Sequence, residues 1–395
     1  MVPEKFRIRD DAKWGHPELE MAYSLMGQSV GYSEVLLNDD LSFEERQEFA
    51  AHAEDGFKDY LPDYDWTRVT EYEAKGCIDE PDAPAVKLLV ANPREGKWRY
   101  KKNSPCIMII PGGGLTTCFR FTAAIEDWAD KYGVPVATFN YRVLTQGAKY
   151  PEPVNDCEAA YNYLAEHAKE LNISANKIVI HGNSSGGHLS LALCHRLKKR
   201  GITPRGCLVW VPIIDDRPLP QYRSLSINSA FWGGSDAAQS ARQYLGKLNN
   251  SVDVPAECFP GRATVEECVG LPPTFIHAMA NDNATDQAYE YASKLAAAGV
   301  YVELHNWGGS QHCSLTTAAN VLDKDDPTAE YAQLFNAVCA KEFKDMFEYD
   351  LRRPWTVEEY NEANKQRWTR GYKRYKETSG LIEWKECQIF HSIFT

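Results

Sequence analysis

Residues 177 to 189 read KIVIHGNSSGGHL, an apolar run followed by a turn rich in glycine and serine. The composition of 177–180 predicts a buried strand, and the pattern of 185–199 predicts a helix. Glycines between a strand and a helix permit a sharp turn, because they tolerate strained backbone and close packing. The stretch therefore predicts a strand, a tight turn and a helix, with a serine at the turn.

Two adjacent serines, Ser184 and Ser185, compete for that position. A serine pushed forward by such a turn has glycines two residues before and two residues after it, in the pattern Gly-x-Ser-x-Gly. Gly182 and Gly186 flank Ser184 in this way, whereas a pattern centred on Ser185 would need glycine in place of Asn183. Ser184 is therefore the candidate nucleophile, and the alternative interpretation is an ordinary turn of small residues.

Short apolar runs lie on both sides of this stretch and alternate with helical patterns. The runs are 106–110, 134–140, 177–180, 207–212, 274–280 and 301–307, and the helical patterns are 122–132, 154–169, 185–199, 286–298 and 329–347. Alternation of this kind predicts the fold class α/β, with a mostly parallel central sheet and helices on both faces. Two earlier segments, 66–74 and 85–91, predict an antiparallel pair of strands.

The same patterns predict three parts of the chain: helices in 1–62, an α/β domain in 63–348 and a helical appendix in 349–395. Residues 215–270 are rich in Pro, Ser, Asn and Gly and make a long excursion between two strands, of the kind that shapes a pocket. The appendix mixes aromatic and basic residues. In an acidic chain this mixture favours a helix that packs its rings on the body over a tail that binds nucleic acid.

A serine hydroxyl becomes a nucleophile when a histidine takes its proton and an acid orients that histidine. Among the ten histidines, His312 alone lies in a loop directly after the last core strand. Asp282 follows the strand 274–280, at the edge where catalytic groups gather in open α/β sheets. Asp286 is the alternative acid, but its position suits a helix cap or a first helical turn. The order Ser184, Asp282, His312 therefore predicts a catalytic triad.

Acyl transfer also needs N–H donors aimed at the oxygen that becomes negative. The sequence PGGG at 111–114 follows an apolar run, and its glycines let amide groups approach a substrate without side-chain obstruction. We expect amides of this glycine run, together with the amide of Ser185, to be these donors. A phosphate-binding loop is the rival interpretation of three glycines, but neither glycine-rich phosphate motif is completed around them.

Charge, cysteine content and apolar runs indicate which kinds of partner and which location to expect. The formal net charge of −12 opposes binding to nucleic acid or to an anionic membrane, so we expect a small-molecule substrate. The 11 cysteines never form a Cys-x-x-Cys pair, which supports neither a zinc cluster nor a disulfide framework. No run suggests a signal peptide or a membrane helix, so a cytoplasmic location is expected. The sequence gives no indication of oligomeric state.

Several ordered stretches together resemble the hormone-sensitive-lipase-like branch of the α/β hydrolases, which contains carboxylesterases. They are PGGG at 111–114, NYRV at 140–143, YPEPVNDC at 150–157, HGNSSGGHL at 181–189, VPIIDDR at 211–217, GLPPTFI at 270–276 and YASKLAAAGVYVELHNWGGSQH at 291–312. The resemblance implies the α/β hydrolase fold and a cap over the pocket built from the amino-terminal helices. It also implies the roles given above for Ser184, Asp282 and His312, with Gly113, Gly114 and the Ser185 amide as the oxyanion donors. Three positions depart from the family pattern: Pro111 replaces a histidine, Asn183 replaces an acid, and Cys313 replaces a glycine.

These observations predict a serine carboxylesterase that cleaves a small or medium ester through an acyl-enzyme and requires no metal or organic cofactor. A hydrolase of another acyl bond, such as a lactone, amide or thioester, would use the same residues. A non-catalytic ligand-binding protein on the same fold is the alternative from a different class.

Overall fold

The computed structural model describes residues 68–96, 102–118, 122–217, 234–315 and 330–353, together with the single positions Glu45 and Glu362. The chain divides into two compact units, Met1–Arg352 and Arg353–Thr395. The expected helices in 1–62 lie outside the described residues apart from Glu45, and so does nearly all of the expected appendix. The division into three parts, including the amino-terminal cap, therefore stays a prediction.

One eight-stranded sheet forms the centre of the first unit. Its strands are β1 (Val69–Ala74), β2 (Val86–Ala91), β3 (Ser104–Ile110), β4 (Val136–Phe139), β5 (Ile173–Asn183), β6 (Gly206–Trp210), β7 (Thr274–Met279) and β8 (Val302–Trp307). The spatial order is β1-β2-β4-β3-β5-β6-β7-β8. β1 and β2 are antiparallel to each other and β2 is antiparallel to β4, while the pairs from β4 to β8 are parallel. The predicted mostly parallel sheet is confirmed.

The structure describes seven α-helices, of which five lie within three residues of the predicted bounds and two, in the segment 215–270, were not predicted. They are α1 (Thr122–Tyr132), α2 (Glu152–Glu166), α3 (Ser185–Lys199), α4 (Gly234–Leu245), α5 (Val265–Cys268), α6 (Thr285–Ala297) and α7 (Glu330–Glu348). The last two lie within one residue of the predicted ends at both termini. Within the described part of the chain, no helix combines the length and apolar character needed to cross a membrane.

The sheet has a hydrophobic cluster on each face, because its central strands send alternate side chains to opposite sides. In β3, Met108 belongs to the cluster that includes side chains of α2, α3 and α6, while Ile107 and Ile109 belong to the cluster that includes α1 and α7. All seven residues of β3 are buried. Helices therefore cover both faces, as expected for parallel strands.

Strand β5 shows the largest difference from the predicted bounds. The apolar run at 177–180 marks only its centre, whereas the strand extends from Ile173 to Asn183. Its first part contains polar residues and pairs Ile173 with Ser104 before an irregularity in the register. Backbone hydrogen bonding extends the strand through residues whose side chains give no apolar signal. The carboxyl end of β5 leads into the glycine- and serine-rich turn that contains Ser184.

The excursion between β6 and β7 starts at the carboxyl end of β6 and contains two of the helices, α4 and α5. Residues 218–233 of it are outside the described residues. Because β5, β7 and β8 are parallel, the loops that follow them emerge at one edge of the sheet. The fold thereby brings residues near 184, 282 and 312 into one region.

Candidate active site

Ser184 lies at the sharp turn between β5 and α3, with backbone angles φ +53° and ψ −123°. Few residues other than glycine adopt a positive φ, so the turn holds this serine in strained backbone. The strain is held by the surroundings: the amide of Ser184 donates to the carbonyl of Trp210 (2.9 Å), and its carbonyl accepts from the amide of His188 (3.0 Å). The turn thus projects one side chain from the junction of strand and helix.

The two glycines of the motif are explained by close backbone contacts. A Cβ atom on Gly182 would lie 2.3 Å from the carbonyl oxygen of Gly186, and a Cβ on Gly186 would lie 2.0 Å from that of Ile110. Real Cβ atoms do not approach backbone oxygen so closely. The spacing that selected Ser184 from the sequence therefore reflects the packing of the turn against itself and against the end of β3.

The structure brings Ser184, His312 and Asp282 into one hydrogen-bonded chain. Ser184 Oγ lies 2.8 Å from His312 Nε2, and His312 Nδ1 lies 2.7 Å from Asp282 Oδ2. The acceptor-only carboxylate assigns the proton to Nδ1, which leaves Nε2 to accept from the serine hydroxyl. Ser184, His312 and Asp282 are 6%, 2% and 1% exposed. Little water competes with these bonds.

Backbone contacts hold the histidine and the acid relative to each other. The amide of Asp282 donates to the carbonyl of Met279 (3.0 Å), in a turn at the end of β7. The amide of Asn281 donates to the carbonyl of Ser310 (2.9 Å), so this turn is joined to the loop that carries His312. Ser310 in turn donates its hydroxyl to the carbonyl of Trp307 (2.6 Å), at the end of β8. Each of the three hydrogen-bonded side chains, Ser184, His312 and Asp282, is therefore held in place by the end of a strand.

The electrostatic environment favours a charged His312. Burial lowers the pKa of this histidine, but the negative charge of Asp282, together with the neighbouring Cys313, outweighs burial and places the pKa well above the usual range. Asp282 therefore stabilises the imidazolium that forms when the histidine takes a proton. Asp286, the alternative acid, lies in the first turn of α6, as its sequence position indicated.

Other histidines in the core have different surroundings. His181 and His195 are buried, and burial lowers the pKa of each to about 3. His181 Nδ1 lies 2.8 Å from the carbonyl of Leu208, and His195 Nε2 lies 3.0 Å from the hydroxyl of Tyr291. Both are neutral at physiological pH and pack within the core.

The glycine-rich loop after β3 contacts the turn of Ser184. A Cβ on Gly112 would lie 2.9 Å from the carbonyl oxygen of Asn183. Gly113 has φ +133°, and its carbonyl accepts from the amides of Thr116 (3.1 Å) and Thr117 (3.0 Å). The loop therefore turns tightly beside the candidate nucleophile. Gly113 and Gly114, the expected oxyanion donors, follow directly after the Gly112 contact, and their role stays a prediction.

Tyr141 is a site residue that sequence reasoning missed. Its hydroxyl donates to the carbonyl of Pro111 (3.0 Å) and lies 3.3 Å from the hydroxyl of Ser185. It thereby joins the first residue of the glycine loop to the residue after the candidate nucleophile. The only sequence signal was its place in NYRV at 140–143, because the contact joins three distant segments.

Asn183 and Cys313, two of the departures from the family pattern, contact each other. Asn183 Nδ2 donates to Cys313 Sγ at 3.8 Å, and Cys313 is half-buried with φ +59°. A positive φ at Cys313 explains why glycine suits this position in related sequences. The contact links the turn of Ser184 to the loop of His312, so the two departures belong to one structural feature.

Gly113→Ala should strongly impair any chemistry at this site. A Cβ there would lie 2.2 Å from the carbonyl oxygen of Thr117, and φ +133° suits glycine only, so the loop must move. We expect kcat for p-nitrophenyl acetate to fall by about 10²–10³-fold, the usual effect of losing an oxyanion donor. Gly201→Ala is the matched control: Gly201 has φ +75° but open space around it, so it should cost about 1 kcal/mol of stability without changing kcat. Equal kcat values for Gly113→Ala and Gly201→Ala would show that Gly113 does not contribute to the site.

Comparison with known proteins shows which family this chain resembles. The model of a family described as alpha/beta hydrolase fold matches residues 110–316. Esterase LipI of Mycobacterium tuberculosis is 31% identical over 214 residues, which cover 51% of this chain and 63% of LipI. Carboxylesterase/phospholipase LipF of the same organism is 27% identical over 214 residues, covering 52% of this chain and 55% of LipF. The matched region thus spans less than two thirds of either relative.

Among solved structures, a bacterial heroin esterase superposes with a TM-score of 0.69 at 27% identity, covering 85% of this chain and 98% of that chain. The family match spans just over half of the chain and includes Ser184, Asp282 and His312. The resemblance inferred from the ordered motifs is confirmed. The chain therefore belongs to the α/β hydrolase family, in the branch that contains esterases and carboxylesterases.

Proposed function

We propose that this protein is a serine carboxylesterase that hydrolyses a small or medium ester with Ser184, His312 and Asp282 as its catalytic triad. The observation that carries the proposal is the chain of two short hydrogen bonds, 2.8 Å from Ser184 to His312 and 2.7 Å from His312 to Asp282. The esterase names of its relatives support the same reaction class.

In the first half of the reaction, Ser184 Oγ attacks the ester carbonyl carbon while His312 Nε2 takes the hydroxyl proton. Asp282 accepts a hydrogen bond from His312 Nδ1–H and stabilises the imidazolium. The tetrahedral intermediate then expels the alcohol, which leaves with the proton held by His312, and an acyl-enzyme ester remains on Ser184.

The negative oxygen of the tetrahedral intermediate is stabilised by the backbone amides of Gly113, Gly114 and Ser185 in this proposal. Ser185 is the first residue of α3, so its N–H has no acceptor within the helix. Tyr141 supports the arrangement by bonding to both Pro111 and Ser185. Its role is to position the glycine loop relative to the helix.

In the second half, His312 takes a proton from a water molecule that attacks the acyl carbon, and the acid leaves as the Ser184 hydroxyl is restored. Every proton moves through His312 Nε2, so this reaction needs no metal or organic cofactor. A lactone, an amide or a thioester could enter the same cycle, since each offers an acyl carbon to the nucleophile.

The test combines turnover with covalent labelling. The wild-type protein should hydrolyse p-nitrophenyl esters, with a preference for short or medium acyl chains, and a p-nitrophenyl phosphonate should release p-nitrophenolate and leave a phosphonyl group on Ser184. Mass spectrometry of peptides identifies the labelled residue. A label on another residue, or absence of both turnover and label, would contradict the proposal and favour a non-catalytic binding protein.

Competition experiments then show which kind of acyl bond the protein prefers to cleave. Lactones, amides and thioesters are added to the p-nitrophenyl ester assay, and their own hydrolysis is measured directly. A lactone, amide or thioester with a higher kcat/KM than every ester would replace the carboxylesterase proposal with that of the corresponding hydrolase. The cytoplasmic location and the absence of nucleic-acid and membrane partners stay predictions from composition.

A further inference from the structure

A polar cluster lies away from the candidate active site, between β7, β8 and α7. The strand residues His277 and His305 are paired in register and point toward α7, where Glu342 lies between them. His277 and Glu342 are almost wholly buried, whereas the side chains of His305 and Glu303 are 35% and 30% exposed. Because a buried carboxylate needs hydrogen-bond or ionic partners, the partners of each Glu342 oxygen show whether this cluster can bind a ligand.

One oxygen of Glu342 is committed to His277. The indole N–H of Trp307 donates to His277 Nδ1 (3.0 Å), and because indole nitrogen is a donor only, the imidazole proton lies on Nε2. That Nε2–H donates to Glu342 Oε2 (2.7 Å). His277 therefore orients the carboxylate and has no free lone pair for a metal ion. This argues against the fully buried group His277, Cys339 and Glu342 as a metal site.

The other oxygen of Glu342 faces His305. Glu342 Oε1 lies 3.0 Å from His305 Nε2, an ion pair when His305 carries a second proton, and neither buried atom makes a hydrogen bond of acceptable geometry within the described part of the chain. Glu303 Oε2 lies 3.6 Å from the same nitrogen, while the other oxygen of Glu303 accepts from the hydroxyl of Tyr301. One imidazole nitrogen and two carboxylate oxygens thus converge, and all three lie within 4.8 Å of one another.

We propose that His305 Nε2, Glu342 Oε1 and Glu303 Oε2 bind a divalent transition-metal ion such as Zn²⁺. With the ion about 2.1 Å from each donor, the 3.0 Å pair subtends about 90° and the 3.6 Å pair about 120°, on either side of the tetrahedral angle. Imidazole and carboxylate are ordinary zinc ligands, and water completes the coordination on the exposed side.

The contacts around these donors match those of established metal sites. Metal ligands are usually held by outer hydrogen bonds, and here Trp307 and His277 hold Glu342 in position. The ion would join the edge strand β8 to α7. Since β8 leads directly into the loop of His312, metal binding should stabilise that part of the fold without entering the reaction.

The experiment uses the full-length protein, freed of metal with a chelator and then dialysed. Zn²⁺ binding is measured by calorimetry and elemental analysis, Co²⁺ binding by visible absorption, and melting temperature with and without Zn²⁺. We expect one Zn²⁺ per chain and a higher melting temperature, because the ion binds the folded state. None of these measurements depends on ester hydrolysis, so the outcome is separate from that of the proposed function.

Variants locate the ion. His305→Ala should abolish stoichiometric binding, Glu303→Gln should weaken it by replacing a carboxylate with a neutral amide, and Trp307→Phe should weaken it by about 10–100-fold through His277. His167→Ala is the matched control, because His167 forms an exposed pair with Glu170 at the same 3.0 Å distance but belongs to neither candidate group. No Zn²⁺ bound by the wild type, or equal binding by His305→Ala, would overturn the proposal.

Discussion

Ser184→Ala should reduce kcat for p-nitrophenyl acetate by a factor on the order of 10⁶, as removal of the nucleophile does in serine hydrolases. The serine oxygen is the atom that forms the acyl-enzyme, and alanine offers no replacement. Steady-state rates at saturating substrate, corrected for spontaneous hydrolysis, measure the effect. Because Ser184 is the terminal member of the hydrogen-bonded chain, the fold should be kept, and circular dichroism checks this.

Ser185→Ala is the matched control for that variant, since it removes the adjacent hydroxyl. The amide proposed as an oxyanion donor remains, and only the 3.3 Å contact with Tyr141 is lost. One hydrogen bond is worth about 1 kcal/mol, so we expect about a 5-fold decrease in kcat. Similar losses in the two variants, or turnover persisting in Ser184→Ala, would show that the nucleophile has been assigned wrongly.

Asp282→Asn should lower kcat by about 10⁴-fold, since an asparagine in this place supports the wrong tautomer of the histidine. His312 would then present a proton, not a lone pair, to Ser184. Asp286→Asn is the control, because Asp286 was the alternative acid and lies in the first turn of α6. Its kcat should stay within about 3-fold of the wild type, as expected of a substitution worth less than 1 kcal/mol. A larger loss in Asp286→Asn than in Asp282→Asn would reverse the assignment.

The pH profile gives a second readout for Asp282. His312 acts as a base only when neutral, and its pKa is raised, so wild-type kcat/KM should increase with pH through a value above about 6.5, the ordinary pKa of histidine. Without the charge of Asp282 the pKa falls. The acidic limb measured with Asp282→Asn should therefore lie at lower pH than that of the wild type. If the acidic limb lay at the same pH in the wild type and in Asp282→Asn, Asp282 would not be the group that raises the pKa of His312.

Local signals in the sequence predicted the sheet and five of the seven described α-helices, and they singled out Ser184 as the candidate nucleophile. The Gly-x-Ser-x-Gly spacing is a short local pattern, and the strand and helix that flank it have clear patterns of their own. His312 and Asp282 could be selected because parallel strands bring their loops to one edge. Their spacing and hydrogen bonds required the structure, since these depend on contacts such as Asn281 with Ser310.

Other features carried no local signal. Tyr141 joins Pro111 and Ser185 across three strand ends, and nothing in the stretch NYRV indicates those partners. The polar group of Glu303, His305 and Glu342 was missed because its last member lies on a helix far along the chain. Sequence patterns report which face of an element is buried, while pairs of polar side chains from separate elements follow from the packing of the whole domain.

Helix α3 has a consequence for the proposed reaction that no side chain reveals. It begins directly after Ser184 and runs for 15 residues, and the aligned peptide dipoles give its first turn about half a unit of positive charge. Negative charge on the reacting oxygen would develop in this field. Because the surroundings are buried, dissolved salt should screen the field little. Substituting side chains one at a time will therefore understate the electrostatic contribution, since much of it comes from a backbone that every variant retains.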